Sequence, residues 1–283
     1  TQVGEGGTEN RVYPYGAAFA HVVGYSNETA GKSGLESIEN SELLTSNAFF
    51  AEKFLNEFKD EKNHGDTVVT TLDAGLQQAA YNALGENRGA IMVMEASTGK
   101  ILAMVSGPSY DPNTIAQDWE ALNADSTYSP LLNRVTQGAY APGSTFKIIT
   151  MSAGLSEGVV SPNDSFFCPG YKIVEDRRIH CHKRTGHGAE NFVQGAQNSC
   201  NPVFIEVGLR LGVEKFCDYF RKFGLMEKTG IDLPGEASTI MHKEENIGEV
   251  ELATMAFGQS FQITPIRLAA TVSALVNGGK MVT

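Results

Sequence analysis

The sequence predicts an α+β fold, an antiparallel sheet with a helical cluster, on three observations. An early pair of apolar runs is joined by a glycine-containing turn, a helix-rich stretch follows, and strands and helices do not alternate as a parallel sheet would require. No internal repeat of solenoid length is visible.

Taken in chain order, residues 1–65 read as a small, incomplete N-terminal module and residues 66–283 as the main domain. The early part is polar and glycine-rich on either side of the aromatic stretch RVYPYGAAFAHVVGY. Phe50, Phe54, Leu55 and Phe58 then recur at helical spacing and predict a helix over 47–59. A turn at Asn63-His64-Gly65-Asp66 ends it. In VVTTLDAGLQQAAYNALGENRG a strand gives way to a helix that Asp73 caps and Gly85 stops. Its apolar face is Leu76, Ala79, Ala80, Ala83 and Leu84. The segment GAIMVMEASTGKILAMVSGPS is two apolar, β-rich runs around Ala96-Ser97-Thr98-Gly99, a hairpin with glycine at its turn. A connection rich in Asn, Asp and Pro runs to about Ala139, and an apolar helix starts near Pro142-Gly143. Further helices are predicted over 190–198, 203–211, 213–223 and 265–277.

A chain of 283 residues with 41% hydrophobic and 19% charged content can bury a sizeable core. Its formal net charge of −11 argues against nucleic acid as a partner, which needs clustered Lys and Arg. The one dense basic run, DRRIHCHKR at 176–184, reads as a solvated loop. No stretch reaches the ~18 apolar residues that span a bilayer, and TQVGEGGTEN lacks the features of a signal peptide. The expectation is a soluble protein or the soluble part of an anchored one.

Cys168, Cys181, Cys200 and Cys217 form no CxxC pair, so neither a zinc ribbon nor a thioredoxin-type site is expected. The triplet His180-Cys181-His182, with Cys168 and His187 nearby, invites a metal, but three consecutive side chains cannot easily all point at one ion. No metal and no cofactor is expected. A Cys168–Cys181 disulfide stays open, because the cysteine count does not settle the compartment.

The chemistry concentrates at Ser144-Thr145-Phe146-Lys147, where a hydroxyl and an amine three residues apart share one helical face. The helix continues as IITMSAGL, apolar nearly all round, and a desolvated lysine has a lowered pKa and can take a proton from serine. Free backbone N–H groups at the helix start favour a developing oxyanion. Spacing alone leaves another reading open, an N-cap serine beside a structural lysine. Ser97-Thr98-Gly99-Lys100 has the same pattern, but it lies in the hairpin turn, where nothing makes its side chains converge. Ser199-Cys200-Asn201 follows between two predicted helices and can present a hydroxyl and an amide to one cleft; the bland reading is an Asn-Pro helix boundary.

Taken in order, these residues resemble the penicillin-binding proteins, serine acyl-transferases that cross-link or trim peptidoglycan peptides and carry an SxxK, SxN, KTG set. RVYPYGAAFAHVVG resembles a segment of the non-catalytic module of the monofunctional, class B members. TLDAGLQ, GAYAPGSTFK, HGAENFVQGAQNSCNPVF, TGIDLPGE and GQSFQITPIRLA resemble further family segments in family order, so the resemblance covers nearly the whole chain. It implies the transpeptidase fold shared with serine β-lactamases. It implies Ser144 as acylated nucleophile, Lys147 as general base, Ser199 as proton relay and Asn201 as a group that hydrogen-bonds the substrate backbone. It also implies D-Ala-D-Ala stem peptides as substrate, β-lactams as acylating mimics, a membrane glycosyltransferase partner and an extracytoplasmic catalytic domain on a membrane anchor.

Lys228-Thr229-Gly230 departs from the family pattern. Ile231-Asp232-Leu233-Pro234-Gly235 follows it, and Pro and Gly end any strand within a few residues. It also precedes GQSFQITP, which in the family comes before the docking strand. The expectation is that this KTG is coincidental, that the true docking strand lies beyond Thr283, and that the chain as given is impaired in catalysis. Two other readings remain: a class D β-lactamase, which shares the STFK-like helix, and a β-lactam-sensing or scaffolding domain acylated without turnover. A Cys200 nucleophile with His187 is a third.

Overall fold

The computed structural model describes residues 2–3, 9–44 and 65–282. The helix expected over 47–59 lies outside the described residues. The chain divides into two compact units, residues 1–137 with 230–236, and residues 138–229 with 237–283.

In the first unit the predicted hairpin is present. Gly89–Met94 pairs antiparallel with Ile101–Gly107, Ile91 opposite Val105, and the register shifts between Val93 and Met94. The helix Ala74–Leu84 begins as expected, the Asp73 carboxylate accepting the Leu76 N–H at 2.8 Å. Its buried face differs from the predicted one: Gln77, Ala80 and Leu84 point inward while Leu76 is 42% exposed. Ala80 and Leu84 pack with Ala103 and Val105 of the hairpin. Gln77 is admitted to that face because its amide closes three backbone hydrogen bonds, donating to the Ala18 and Met104 carbonyls and accepting the Met104 N–H, each at 2.7 Å.

The aromatic stretch near the N-terminus is held by polar ties. The Tyr13 hydroxyl accepts the Ser26 N–H at 2.8 Å, and Arg11 pairs with Glu36 at 3.0 Å. The supposed long connection holds a helix, Ile115–Ala124, whose Ile115 is buried with Ala20, Tyr25 and Tyr110. Trp119 and Leu122 of the same helix pack on that cluster too, so Ile115, Trp119 and Leu122 dock the segment along one helical face.

The second unit is organised around Asn201–Lys222, helical on either side of Gly212, where φ is +74°. That break separates the two helices expected over 203–211 and 213–223. Phe146 packs against Phe216, Phe220 and Phe261 with ring centroids 4.8 to 6.2 Å apart. Each such fully buried phenyl contributes about 2 kcal/mol. The final helix, Pro265–Val276, forms as expected, the Thr264 hydroxyl accepting the Arg267 N–H.

Two expectations for this unit are corrected. The helix predicted over 190–198 exists only as Phe192–Gln197; the residues before it, Gly188–Asn191, pair as a strand with Ser165–Cys168. Asn191 ends that strand and caps the helix, its side chain accepting the Gln194 N–H. The basic run is not simply a solvated loop: Arg177–His180 pairs with Tyr171–Val174, and although Arg177 and Arg178 are exposed, Cys181 is buried. Lys228-Thr229-Gly230 forms no strand, in line with its rejection as a docking strand.

Candidate active site

Ser144 lies in a short 3₁₀ turn, Gly143–Phe146, that leads directly into the helix Lys147–Ser156. A 3₁₀ turn places residues i and i+3 one above the other, so Ser144 and Lys147 line up more directly than on the α-helix the spacing implied. The helix that follows, apolar nearly all round, is not buried all round: Ile149, Thr150, Ala153 and Gly154 are buried while Ile148 and Leu155 are exposed. Ser144 is exposed and Lys147 only 5% exposed. The hydroxyl thus faces solvent and the amine is withdrawn from it.

The turn ahead of Ser144 is held by a backbone contact that only glycine permits. The Gly143 N–H donates to the Gly258 carbonyl at 2.9 Å, and Gly258, at φ +85°, would place a Cβ 1.9 Å from the Gly143 oxygen. Nearby, Tyr140 and Ile263 exchange both backbone hydrogen bonds at 2.9 Å. The segment GQSFQITP therefore braces the segment that carries the hydroxyl.

Ser199 and Asn201 reach the same amine from another element. Lys147 Nζ donates to Ser144 Oγ at 3.2 Å, Ser199 Oγ at 3.0 Å, the Ser199 carbonyl at 2.7 Å and Asn201 Oδ1 at 2.7 Å. Ser199 adopts φ +49° at the turn before the long helix, and Asn201 is the first residue of that helix. Asn201 Nδ2 donates in turn to the His180 carbonyl at 3.1 Å. All four residues singled out in the sequence, Ser144, Lys147, Ser199 and Asn201, meet around one nitrogen. Ser97 remains in its hairpin turn.

Burial pushes the Lys147 ammonium down to about 8, with the Cys181 and Cys200 sulfurs opposing that shift. An amine so poised is partly neutral near physiological pH and can accept the Ser144 proton, while Ser144, at the start of a helix, has its N–H in a turn with no helical acceptors. Cys200 between Ser199 and Asn201 is unsuited to attack: it is fully buried, and burial, reinforced by the neighbouring Glu190 carboxylate, drives its thiol strongly up.

Sequence reasoning named Cys168, Cys181 and His187 as neighbours but dismissed a metal there and left Cys200 out of the group. Of the His180-Cys181-His182 triplet only Cys181 turns inward to a group comprising Cys168, His187 and Cys200, whose ligand atoms all lie within 4.8 Å of one another. The triplet argument against convergence holds, but the other three ligands come from separate segments. The signal available in the sequence was the recurrence of Cys and His along 168–200, with Cys200 at its end. All four cysteines of the chain are free thiols, so the open Cys168–Cys181 disulfide is absent. The four side chains can hold one metal ion.

Comparison with known proteins agrees with this geometry. Residues 89–283 match the description "Penicillin binding protein transpeptidase domain", and residues 3–68 match "Penicillin binding protein A dimerisation domain". The chain is 38% identical over 293 residues to stage V sporulation protein D of Bacillus subtilis, covering 96% of this chain and 44% of the relative. It is 30% identical over 319 residues to the peptidoglycan D,D-transpeptidase MrdA of Escherichia coli, covering 96% of this chain and 50% of that one. An imipenem acyl-enzyme structure of penicillin-binding protein A from M. tuberculosis superposes with a TM-score of 0.88 at 28% identity, over 95% of this chain and 66% of the other. The chain thus spans about half the length of the curated relatives it matches. With a transpeptidase description running through the residues that surround Lys147 Nζ, and the fold reproduced at that level, the chain belongs to the penicillin-binding protein transpeptidase family.

Proposed function

We propose that this protein is a serine D,D-transpeptidase that cross-links peptidoglycan stem peptides through an acyl-enzyme on Ser144. The observation that carries the reading is the exposed Ser144 hydroxyl 3.2 Å from the buried amine of Lys147, which also touches Ser199 Oγ at 3.0 Å. Neutral Lys147 takes the Ser144 proton as Oγ attacks the carbonyl of the D-Ala-D-Ala bond. The Ser144 N–H supplies one donor for the oxyanion, an interaction worth a few kcal/mol of barrier. The C–N bond then breaks, and the proton passes from Lys147 through the Ser199 hydroxyl to the departing D-Ala amine. Asn201 holds Lys147 through Oδ1 and has an N–H to spare for a substrate carbonyl. An amine on a neighbouring stem peptide attacks the ester, forms the cross-link and returns the proton to Ser144. A β-lactam enters the same first step and forms a slowly released ester.

The same reading assigns residues 1–65 to a non-catalytic module and 66–283 to the transpeptidase domain, supported by the dimerisation match over residues 3–68. It puts the catalytic domain outside the cytoplasmic membrane, where the substrate is, beside a membrane glycosyltransferase that supplies glycan. Among the described residues no helix is long and apolar enough to cross a membrane.

The test is fluorescent-penicillin labelling with intact-mass detection in the complete protein. Ser144→Ala is expected to abolish the adduct and Ser97→Ala to leave it in place. Labelling retained in Ser144→Ala rejects the nucleophile assignment. Fast nitrocefin turnover would instead identify a β-lactamase.

A further inference from the structure

We propose that Gln259 is a substrate-binding residue, its carboxamide hydrogen-bonding the backbone of the donor stem peptide ahead of the D-Ala that becomes attached to Ser144. Gln259 stands on the loop 258–261, which is docked at both ends on the turn Gly143–Phe146. At one end the Gly143 N–H donates to the Gly258 carbonyl at 2.9 Å, and a Cβ on Gly258 would fall 1.9 Å from the Gly143 oxygen. At the other end the buried Phe261 ring lies 4.8 Å from that of Phe146. The loop is thereby fixed to the turn that carries Ser144. Between the two anchors the Gln259 side chain is exposed, with Nε2 4.0 Å from the place a Cβ of Gly143 would take. Its amide has no hydrogen-bond partner among the described residues.

Bracing Ser144 requires the anchors but not what lies between them. Ser260 holds a left-handed φ of +64°, which disfavours any residue except glycine. Its surroundings enforce it. Thr254, in the helix Glu249–Met255, donates its hydroxyl proton to the Glu251 carbonyl at 2.9 Å, so at the 2.8 Å contact between the two hydroxyls Ser260 is the donor. The Gln259 N–H donates to the Thr254 carbonyl at 3.0 Å. The helix end and the strained serine together aim one unpaired amide beside the nucleophile, and strain of this kind persists at ligand clamps.

Gln259 also lines a cavity of about 420 Å³, with Ala141, Ile240, Met241 and His242 among its other walls. Ala141 and Gln259 place this space at the Gly143 end of the turn, whereas Ser199 and Asn201 gather on Lys147 at the other end. The chemistry divides the two flanks. The departing D-Ala and the incoming amine each exchange a proton with Ser199 and Lys147, so both occupy the Lys147 end. The retained acyl chain, attached to the same carbonyl carbon, runs the other way, toward Gln259. Each of its residues presents one N–H and one C=O, and a carboxamide offers both a donor and an acceptor to match them. Ile240 and Met241 supply apolar surface for a stem-peptide side chain. The assignment rests on the proposed function.

The test uses the complete protein and measures how much peptide is needed to halve the rate at which fluorescent penicillin labels Ser144. Two peptides are compared: a stem pentapeptide ending in D-Ala-D-Ala, and N-acetyl-D-Ala-D-Ala, which has no chain ahead of the reacting residue. Gln259→Ala is expected to raise the half-protecting concentration of the pentapeptide about tenfold and that of the short peptide less than about twofold, the loss of one or two hydrogen bonds. Gln259→Glu keeps acceptor oxygens, loses the donor, and is expected to fall between parent and Gln259→Ala. Urea unfolding of both variants is expected to match the parent, because the amide bonds to nothing within the protein. Pentapeptide protection unchanged in Gln259→Ala, or weakened equally for both peptides, overturns the assignment, as does a loss of stability in Gln259→Ala. If protection is unchanged and only transfer to an acceptor amine slows, the contact is not with the donor and the assignment falls. Penicillin labelling with unaltered protection sinks Gln259 alone, whereas a parent protein that penicillin never labels removes the proposed function and this assignment with it.

Discussion

Lys147 Nζ donates to Asn201 Oδ1 at 2.7 Å, and the amide end of the same Asn201 donates to the His180 carbonyl at 3.1 Å. The Lys147 amine is thereby tied through one side chain to the backbone of a strand end. A hydrogen bond involving a charged group contributes about 1.5–3 kcal/mol, so the loss of this one is measurable.

Asn201→Ala is expected to lower the rate of β-lactam acylation by roughly 10- to 100-fold, the same energy expressed as a rate. Asn201→Asp tests the electrostatics. A carboxylate at that position favours the charged form of Lys147 and raises its pKa, so acylation should fall at neutral pH and recover as pH is raised. The measurement is the second-order acylation rate against pH, and an Asp variant with the parent's profile would contradict the contact.

The parent protein's own profile follows from burial. The Lys147 ammonium is pushed down to about 8 by loss of water. Its neutral, proton-accepting form accumulates as pH rises through that value, so acylation should increase with pH and level off above it. Lys147→Arg, charged at every accessible pH, should not acylate at all. A rate independent of pH from mildly acidic to alkaline conditions would remove Lys147 from the role of base.

Gly258→Ala is expected to cost about 2 kcal/mol or more and to slow acylation, because the new Cβ falls 1.9 Å from the Gly143 oxygen on the turn that carries Ser144. Gly158→Ala is the control. Gly158 also has positive φ, +65°, but nothing lies within 4 Å of its Cβ, so only the backbone strain of about 1–2 kcal/mol remains and acylation should persist. Urea unfolding and labelling rates of the two variants separate clash from strain.

Gln77→Ala is expected to destabilise by about 3 kcal/mol, since it strands the Ala18 and Met104 carbonyls and the Met104 N–H in a buried setting. Gln77→Leu keeps the volume but not the hydrogen bonds, and should not rescue it. Denaturant unfolding of the pair distinguishes lost packing from lost hydrogen bonding.

Features set by near neighbours were legible in the sequence. The Asp73 cap, the hairpin around Ala96-Ser97-Thr98-Gly99, the break at Gly212 and the helix from Pro265 all follow from residues a few positions apart, and each forms as read. The Ser144–Lys147 pair was legible for the same reason, being one turn long. Structure that depends on distant partners was not. Glu190 and Asn191 read as helix because Phe192–Gln197 follows them, yet they belong to the strand Gly188–Asn191, which pairs with Ser165–Cys168, and no local periodicity announces that partner. Ile115–Ala124 lies in a stretch whose Asn, Asp and Pro read as loop, yet its Ile115, Trp119 and Leu122 share a helical face that packs on Tyr25 and Tyr110. The sequence by itself determined which side chains could do acyl transfer and the order in which they occur. Only the tertiary structure decided that four of them meet at Lys147 Nζ, and that Cys168, Cys181, His187 and Cys200 close behind Asn201, because strand pairing and helix packing join residues that chain spacing keeps apart.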